Sequence, residues 1–203
     1  LLLKEFLDVI IRYYKHGVGW FRLDAVAFIW KEKGSSCLHR KEAHDIVKIL
    51  KIILDNLSNK NVLITETNVP EEENLSYLVD GNEADLAYNF SLPPLLLECL
   101  LSSNADLINK WLFNYPSFPT GSSFLNFSAS HDGIGLRGLE GLMDDQRLHS
   151  LLVSSEERGG LVSHRKLPNG EERPYELNIS WWSAMASSSL NPDGYQQERF
   201  ILS

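Results

Sequence analysis

The sequence predicts an α/β fold built on a parallel β-sheet. Short apolar runs that are typical of buried strands alternate with longer runs in which apolar residues recur at helical spacing. Strands that are apolar on both faces and alternate with helices form parallel sheets, because the connecting helices cover both faces of the sheet. The composition supports a globular core, since 43% of the 203 residues are hydrophobic.

Four helices and four strands follow one another along the first two thirds of the chain. We predict helices at about 1–16, 41–57, 73–79 and 93–101, and strands at about 18–23, 61–65, 85–90 and 124–128. The second helix is predicted because its apolar residues keep helical spacing; they are Ile46, Leu50, Ile53 and Leu57. The last strand is expected to lead directly into His131 and Asp132.

The pattern changes after residue 133. Residues 134–190 are rich in Gly, Ser and charged residues and have no clear period, so we predict an inserted subdomain there. Residues 191–203 are expected to return to a helix of the main domain, which covers residues 1–133. The chain opens and closes inside amphipathic runs and lacks an initiating Met, so we expect a part of a longer protein.

Composition excludes several classes of function. A net charge of −8 argues against a nucleic-acid partner, and no apolar run approaches the roughly 20 residues of a membrane helix. Two cysteines without metal-like spacing, Cys37 and Cys99, indicate a reducing, cytoplasmic compartment. No metal-ligand arrangement and no glycine-rich phosphate loop is present in the sequence, so neither a metal nor a nucleotide cofactor is expected.

Three apolar strand runs each lead to an acid, which gives Asp24, Glu66 and Asp132 in order. The carboxyl ends of parallel strands carry the chemistry of α/β barrels, and an unpaired charge beside a buried strand is costly. One such acid alone is as readily a helix N-cap, but three in order favour a site.

Paired carboxylates suit glycosyl transfer, in which one group protonates the leaving oxygen and another attacks or stabilises the sugar. Arg22 lies two residues before Asp24, on the same side of the strand, where it can keep that carboxylate ionised and oriented.

The segments that carry these acids resemble glycoside hydrolase family 13, the α-amylase superfamily. They read GV..FRLDA around Asp24, ITE around Glu66 and SHD around Asp132. The resemblance implies that Asp24 is the nucleophile, that Glu66 is the general acid/base and that Asp132 grips sugar hydroxyls. It also implies that Arg22 and His131 contact Asp24 and the donor sugar.

A finer resemblance is to the sucrose-phosphorylase-like sugar phosphorylases, with segments closer to the glucosylglycerate type. These segments are RLDAVAF, ETNVP, FSLPPLLL, HDGIG and RPYELN. The resemblance implies about strands 4 to 7 of a (β/α)8 TIM barrel, with the inserted subdomain on the acceptor side after the seventh strand. It further implies reversible phosphorolysis of sucrose or a related α-glucoside, with inorganic phosphate as co-substrate and no other cofactor.

Phosphate needs cationic or N–H contacts, for which Arg137, Arg173 and Tyr175 are candidates, with Glu176 beside them as a further substrate contact.

Two alternative functions stay open: a hydrolase or transglucosidase with the same acids, and an inactive partial barrel. The barrel would lack its early strands and its last, so we expect the 203 residues alone to be inactive. Assembly of the protein as a homodimer is also possible.

Overall fold

The computed structural model describes residues 2–167, 169–186 and 196–202 and divides the chain into two compact units. The first unit comprises Leu1–Thr67, Glu72–Tyr88 and Ser117–Leu125, and the second comprises Asn68–Glu71, Asn89–Pro116 and Asn126–Ser203. The domain bounds predicted at residues 133 and 190 stay predictions, and residues 187–195 lie outside the described part of the chain.

The first unit is built on a four-stranded parallel sheet, which confirms the predicted fold class. Its strands lie in the order β1-β2-β3-β4 and comprise Trp20–Leu23, Val62–Thr65, Leu86–Tyr88 and Ser123–Leu125. Helix α1 spans Leu2–Lys15, α2 spans Lys41–Leu57 and α3 spans Glu71–Leu75. The assignment of these strands as four to seven of an eight-stranded barrel stays a prediction.

Helix α2 supplies much of the core of the first unit. The buried residues of α2 recur at helical spacing and are Ala43, Val47, Leu50 and Leu54. The larger ones belong to the same core cluster as Leu63 of β2 and Tyr77. Each fully buried Leu contributes about 1.5–3 kcal/mol relative to an exposed one. β2 is buried on both faces, as expected of a strand within a parallel sheet.

Asp85 connects helix α2 to the sheet at the end where the strands begin. One of its carboxylate oxygens accepts a hydrogen bond from the Leu63 N–H at 2.8 Å, and the other lies 2.8 Å from Lys51 Nζ of α2. Burial disfavours the charged form of Lys51, but its contacts with Asp55 and Asp85 outweigh this effect, and the pKa of Lys51 is raised. One half-buried carboxylate therefore ties a helix to two strands.

The second unit contains a three-stranded antiparallel sheet in the order β5-β7-β6. These strands are Ile134–Gly135, Leu161–Lys166 and Glu172–Asn178 for β5, β6 and β7. The helices are α4 at Leu92–Ser102, α5 at Asp106–Phe113, α6 at Asp145–Glu156, α7 at Trp181–Ala184 and α8 at Gln196–Leu202. Asp144 caps α6, where its carboxylate accepts a hydrogen bond from the Arg147 N–H at 2.8 Å.

Several elements differ from the expected bounds: α3 ends at Leu75, not near 79, and β3 ends at Tyr88, not near 90. β4 ends at Leu125, not near Ser128, so His131 and Asp132 do not directly follow the strand. Pairing stops at Tyr88↔Leu125, and the next two residues bond through their side chains instead, from Asn89 Nδ2 to Asn126 Oδ1 at 2.9 Å. Helix α5 was also not expected. Within the described residues, no helix is long and apolar enough to cross a membrane.

Replacing Asp85 by Asn should destabilise the protein measurably. Asn still accepts the Leu63 N–H bond, but the ion pair with Lys51 is lost, and we expect a decrease of about 1–3 kcal/mol in the free energy of unfolding. The matched control is Asp55→Asn, which removes the more exposed partner of Lys51 and should cost less than about 0.5 kcal/mol. Denaturant unfolding measures both, and equal losses would contradict the role given to Asp85.

Candidate active site

The register between β1 and β2 places two acids side by side in the first unit. Leu23 pairs with Thr65 in the parallel ladder, so Asp24 and Glu66 follow at the same level of neighbouring strands. Glu66 continues the ladder, because its N–H donates to the Leu23 carbonyl at 3.1 Å. This is the edge of a parallel sheet at which α/β enzymes place catalytic groups.

Arg22 joins the two carboxylates. Its Nη2 lies 2.9 Å from Asp24 Oδ1 and 3.9 Å from Glu66 Oε2. Since both oxygens lie near one nitrogen, they are at most about 7 Å apart, a range that includes the roughly 5 Å separation of retaining glycosidases. The expectation that Arg22 points to the side of Asp24 is confirmed.

The two carboxylates have different surroundings. The Asp24 side chain is 72% exposed, whereas that of Glu66 is 14% exposed. Glu66 Oε2 also accepts a hydrogen bond from the Ala25 N–H at 3.0 Å. Unequal surroundings are how one fold gives two carboxyl groups separate acid and nucleophile roles.

Ala25 holds a left-handed backbone conformation, with φ at 46° and ψ at 36°. For a residue other than Gly this conformation costs about 1–3 kcal/mol and persists only where its surroundings hold it. Here it turns the chain directly after Asp24 and directs the Ala25 N–H at Glu66. The strained residue therefore fixes one candidate acid relative to the other.

Tyr88 is a residue of this site that sequence reasoning missed. The Arg22 guanidinium lies over its ring, 5.4 Å from the centroid. Asn74 anchors the end of β3 here, because its Nδ2 donates to the Tyr88 carbonyl at 2.7 Å while its Oδ1 accepts from Thr67 Oγ1 at 2.9 Å. The signal in the sequence that could have identified Tyr88 was an aromatic residue at the end of the third strand run.

In the second unit, His131 and Asp132 lie in a tight turn. His131 Nε2 is 3.2 Å from Asp132 Oδ2, and both side chains are more than half exposed. Ser130 and Gly133 close the turn through a bridge between their backbones. Gly133 has φ at +93°, and a Cβ there would meet the Leu177 carbonyl oxygen at 2.5 Å, so only glycine fits.

The residues predicted for the acceptor side lie in different settings within the second unit. Arg137 is buried; its Nη1 donates to the Asn68 carbonyl at 3.3 Å and its Nε donates to Glu140 at 3.2 Å. Arg173 is an exposed residue of β7 and lines a cavity, whereas Tyr175 and Glu176, also on β7, are half-buried. Arg137 therefore has fewer donors left for a phosphate than a solvated arginine.

The structure thus brings Arg22, Asp24 and Glu66 together in the first unit, and His131 and Asp132 together in the second. Their action as one site stays a prediction. Among the described residues, no group of three or more His, Cys, Asp or Glu side chains is arranged to hold a metal ion.

The chain is similar to curated glucosylglycerate phosphorylases. It is 39% identical over 190 residues to the protein of Spirochaeta thermophila, covering 94% of this chain and 32% of the relative. Identity to the Escherichia coli protein is also 39%, over 202 residues that cover 99% of this chain and 36% of the relative. The chain therefore spans about a third of the length of these relatives. No family model matches it.

A solved structure supports the fold. The crystal structure of sucrose 6F-phosphate phosphorylase from Thermoanaerobacter thermosaccharolyticum matches 90% of this chain with a TM-score of 0.76, at 24% identity and over 36% of its own length. At that identity the match speaks for the fold alone. The glucosylglycerate phosphorylases at 39% identity support the resemblance of the motifs to the sucrose-phosphorylase-like sugar phosphorylases of glycoside hydrolase family 13, and the chain corresponds to about a third of such a protein.

Proposed function

We propose that the protein to which this chain belongs transfers an α-glucosyl group to inorganic phosphate, with retention of configuration. The observation that carries the proposal is the bridge from Arg22 to Asp24 and Glu66 at the ends of two neighbouring strands. Two carboxylates at this separation, held by one cation, suit a two-step displacement at an anomeric carbon.

In the first step, an Asp24 carboxylate oxygen attacks the anomeric carbon of the glucoside. The bond to the leaving oxygen breaks, and Glu66 gives its proton to that oxygen. Arg22 keeps Asp24 in position for the attack, and the Ala25 N–H holds Glu66. The product of this step is a β-glucosyl ester of Asp24, with the acceptor released as an alcohol.

In the second step, a phosphate oxygen attacks the same carbon from the face that the leaving group vacated. The ester bond to Asp24 breaks, and Glu66 takes up the proton of the phosphate, which returns both acids to their first state. The product is α-glucose 1-phosphate. On the resemblance of its motif, Asp132 is proposed to hold sugar hydroxyls, with His131 as a further donor-sugar contact.

Glucosylglycerate is the proposed donor, because the relatives at 39% identity are named glucosylglycerate phosphorylases. Sucrose is the second donor to test. The proposed contacts of the acceptor or the phosphate are Arg137, Arg173, Tyr175 and Glu176. A cytoplasmic location and assembly as a homodimer are also proposed.

Phosphorolysis is tested with the full-length protein that carries this chain. Glucosylglycerate and sucrose are each supplied with and without inorganic phosphate, and we expect α-glucose 1-phosphate to form only when phosphate is present. Coupled detection of glucose 1-phosphate and of free glucose measures both fates of the glucosyl group. Free glucose at an equal rate in both conditions, without glucose 1-phosphate, would indicate a hydrolase instead.

The separate roles of the two acids can be tested by rescue with azide. We expect Asp24→Ala and Glu66→Ala each to lose at least about 10³-fold in kcat. Azide should restore the Asp24 variant and yield β-glucosyl azide, because the anion enters from the face of the missing carboxylate. In the Glu66 variant, with α-glucosyl fluoride as donor, azide should yield the α-azide, because Asp24 still forms the ester. If the two variants gave the opposite products, Glu66 would be the nucleophile and Asp24 the acid/base.

Arg22→Lys keeps the positive charge at the site but removes the guanidinium group, whose Nη2 lies near both carboxylates. We expect kcat to fall by about 10–100-fold, as for losses of groups that orient reacting residues. Arg12→Lys on the exposed face of α1 is the matched control and should leave kcat unchanged. Steady-state kinetics measures both variants, and an unchanged kcat for Arg22→Lys would remove the observation that carries the proposal.

A further inference from the structure

The loop between β1 and α2 has Asp24 at its start and is held near its far end by His39. The His39 N–H donates to the Ala27 carbonyl at 3.0 Å, in the short turn that follows Asp24. His39 has φ at 48°, in the left-handed region, which is uncommon for a residue other than glycine. The backbone of His39 is therefore tied to the turn beside the proposed nucleophile.

The side chain of His39 reaches the helix that follows the strand of Glu66. Its Nε2 lies 3.0 Å from Glu73 Oε2 of α3, and the His39 side chain is 14% exposed. The next residue of α3 is Asn74, whose Oδ1 accepts a hydrogen bond from Thr67 Oγ1 at 2.9 Å. Since Thr67 directly follows Glu66, this hydrogen bond anchors α3 beside the proposed acid.

These contacts form a second connection between the two acids, in addition to Arg22. The connection runs from the turn after Asp24 through His39 and Glu73 to the residue after Glu66. All of its residues belong to the first unit. Groups that act together on one substrate must be held within about 0.5 Å of the productive geometry, by neighbours that do not themselves react. A connection between the two segments that carry the acids can supply this restraint.

Tyr77 supports the imidazole of His39 from inside the core. Tyr77 is fully buried, and its hydroxyl lies 3.1 Å from His39 Nδ1. Burial raises the pKa of the Tyr77 hydroxyl, and the nearby Glu83 and Glu73 raise it further, so the hydroxyl keeps its proton. A tyrosine hydroxyl that donates to Nδ1 places the imidazole proton on Nε2, the nitrogen that faces Glu73.

His44 of α2 supports Tyr77 in turn. The two rings are stacked, with their centroids 4.4 Å apart. His44 Nδ1 lies 2.7 Å from Oε2 of the buried Glu83, whose Oε1 lies 3.4 Å from Lys48 Nζ. Helix α2 thus places two basic side chains against the one buried carboxylate of this cluster. Tyr77 is held by stacking and by core packing, and it orients the ring of His39.

We propose that His39 is a positioning residue, which through Glu73 fixes the loop after Asp24 against the helix after Glu66. It acts on the reaction through the two acids, so the inference rests on the roles proposed for them. The position of the loop sets how directly Asp24 faces the anomeric carbon. Loss of the connection should slow formation of the glucosyl ester, because a misplacement of about 1 Å can cost about 100-fold in rate.

The full-length protein is treated with 5-fluoro-α-glucosyl fluoride in the absence of phosphate, and mass spectrometry follows the labelling of Asp24. Asp24 attacks the anomeric carbon, fluoride leaves without a proton from Glu66, and the remaining fluorine slows breakdown of the ester. The rate constant of labelling measures how well Asp24 is positioned, whereas the final stoichiometry measures the fraction of correctly folded protein. The two readouts therefore separate a positioning role from a purely structural one.

Two variants break the connection at either end. His39→Asn keeps the left-handed backbone, which asparagine tolerates, but its shorter side chain loses the contact with Glu73. Glu73→Gln removes the charge at the other end of the contact. We expect each variant to be labelled about tenfold more slowly than the parent, to full stoichiometry. The double variant should be no slower than the single ones, because the two residues act as a unit.

Glu72→Gln is the matched control, because it removes the same charge from the exposed neighbouring position of α3, and it should be labelled at the parent rate. If the parent is labelled on Asp24 and both His39→Asn and Glu73→Gln are labelled as fast, the inference is overturned while the proposed function stands. A lower stoichiometry at an unchanged rate constant would show a purely structural role and would overturn it equally. A parent without label on Asp24 would contradict the proposed function itself, and the inference with it.

Discussion

The candidate site depends on the register of the parallel ladder between β1 and β2. Leu23 opposite Thr65 sets Asp24 level with Glu66, and the side-chain alternation of β1 turns Arg22 to the side of Asp24. A slip of one residue would send each side chain of the strand to the other face. The burial of Leu23 and Leu63 in the core opposes such a slip, so packing of apolar residues fixes the distance between two polar ones.

The two ends of this sheet use carboxylates in different ways. At the end where the strands begin, Asp85 is engaged on both oxygens, by Leu63 and by Lys51, and its side chain is 21% exposed. At the end where they finish, Asp24 is paired with Arg22 and its side chain is 72% exposed. A carboxylate that protein groups engage on both oxygens stabilises the fold, whereas an exposed one held by a single cation can still react.

Periodicity predicted the main elements of the first unit because its strands are short apolar runs and its helices α1 and α2 are amphipathic. Helix α2 has the predicted bounds, and β1 and β2 end where Asp24 and Glu66 were expected to follow. The hairpin of β6 and β7 gave no such signal, since most of its residues are half-buried or exposed and alternation is weak. The setting of Asp132 was missed because β4 ends at Leu125, where a side-chain bond between Asn89 and Asn126 follows the ladder, and no local pattern in the sequence encodes such a long-range bond.

Ala25 and the pair of Arg165 and Arg173 each break a local rule of stability. Ala25 holds a conformation that favours glycine, and Arg165 opposes Arg173 across a ladder that pairs Lys166 with Glu172 one step further on. Sequences that fold well are consistent at each level, and exceptions concentrate where binding or chemistry requires them. At Ala25 the strain directs an N–H at a candidate acid.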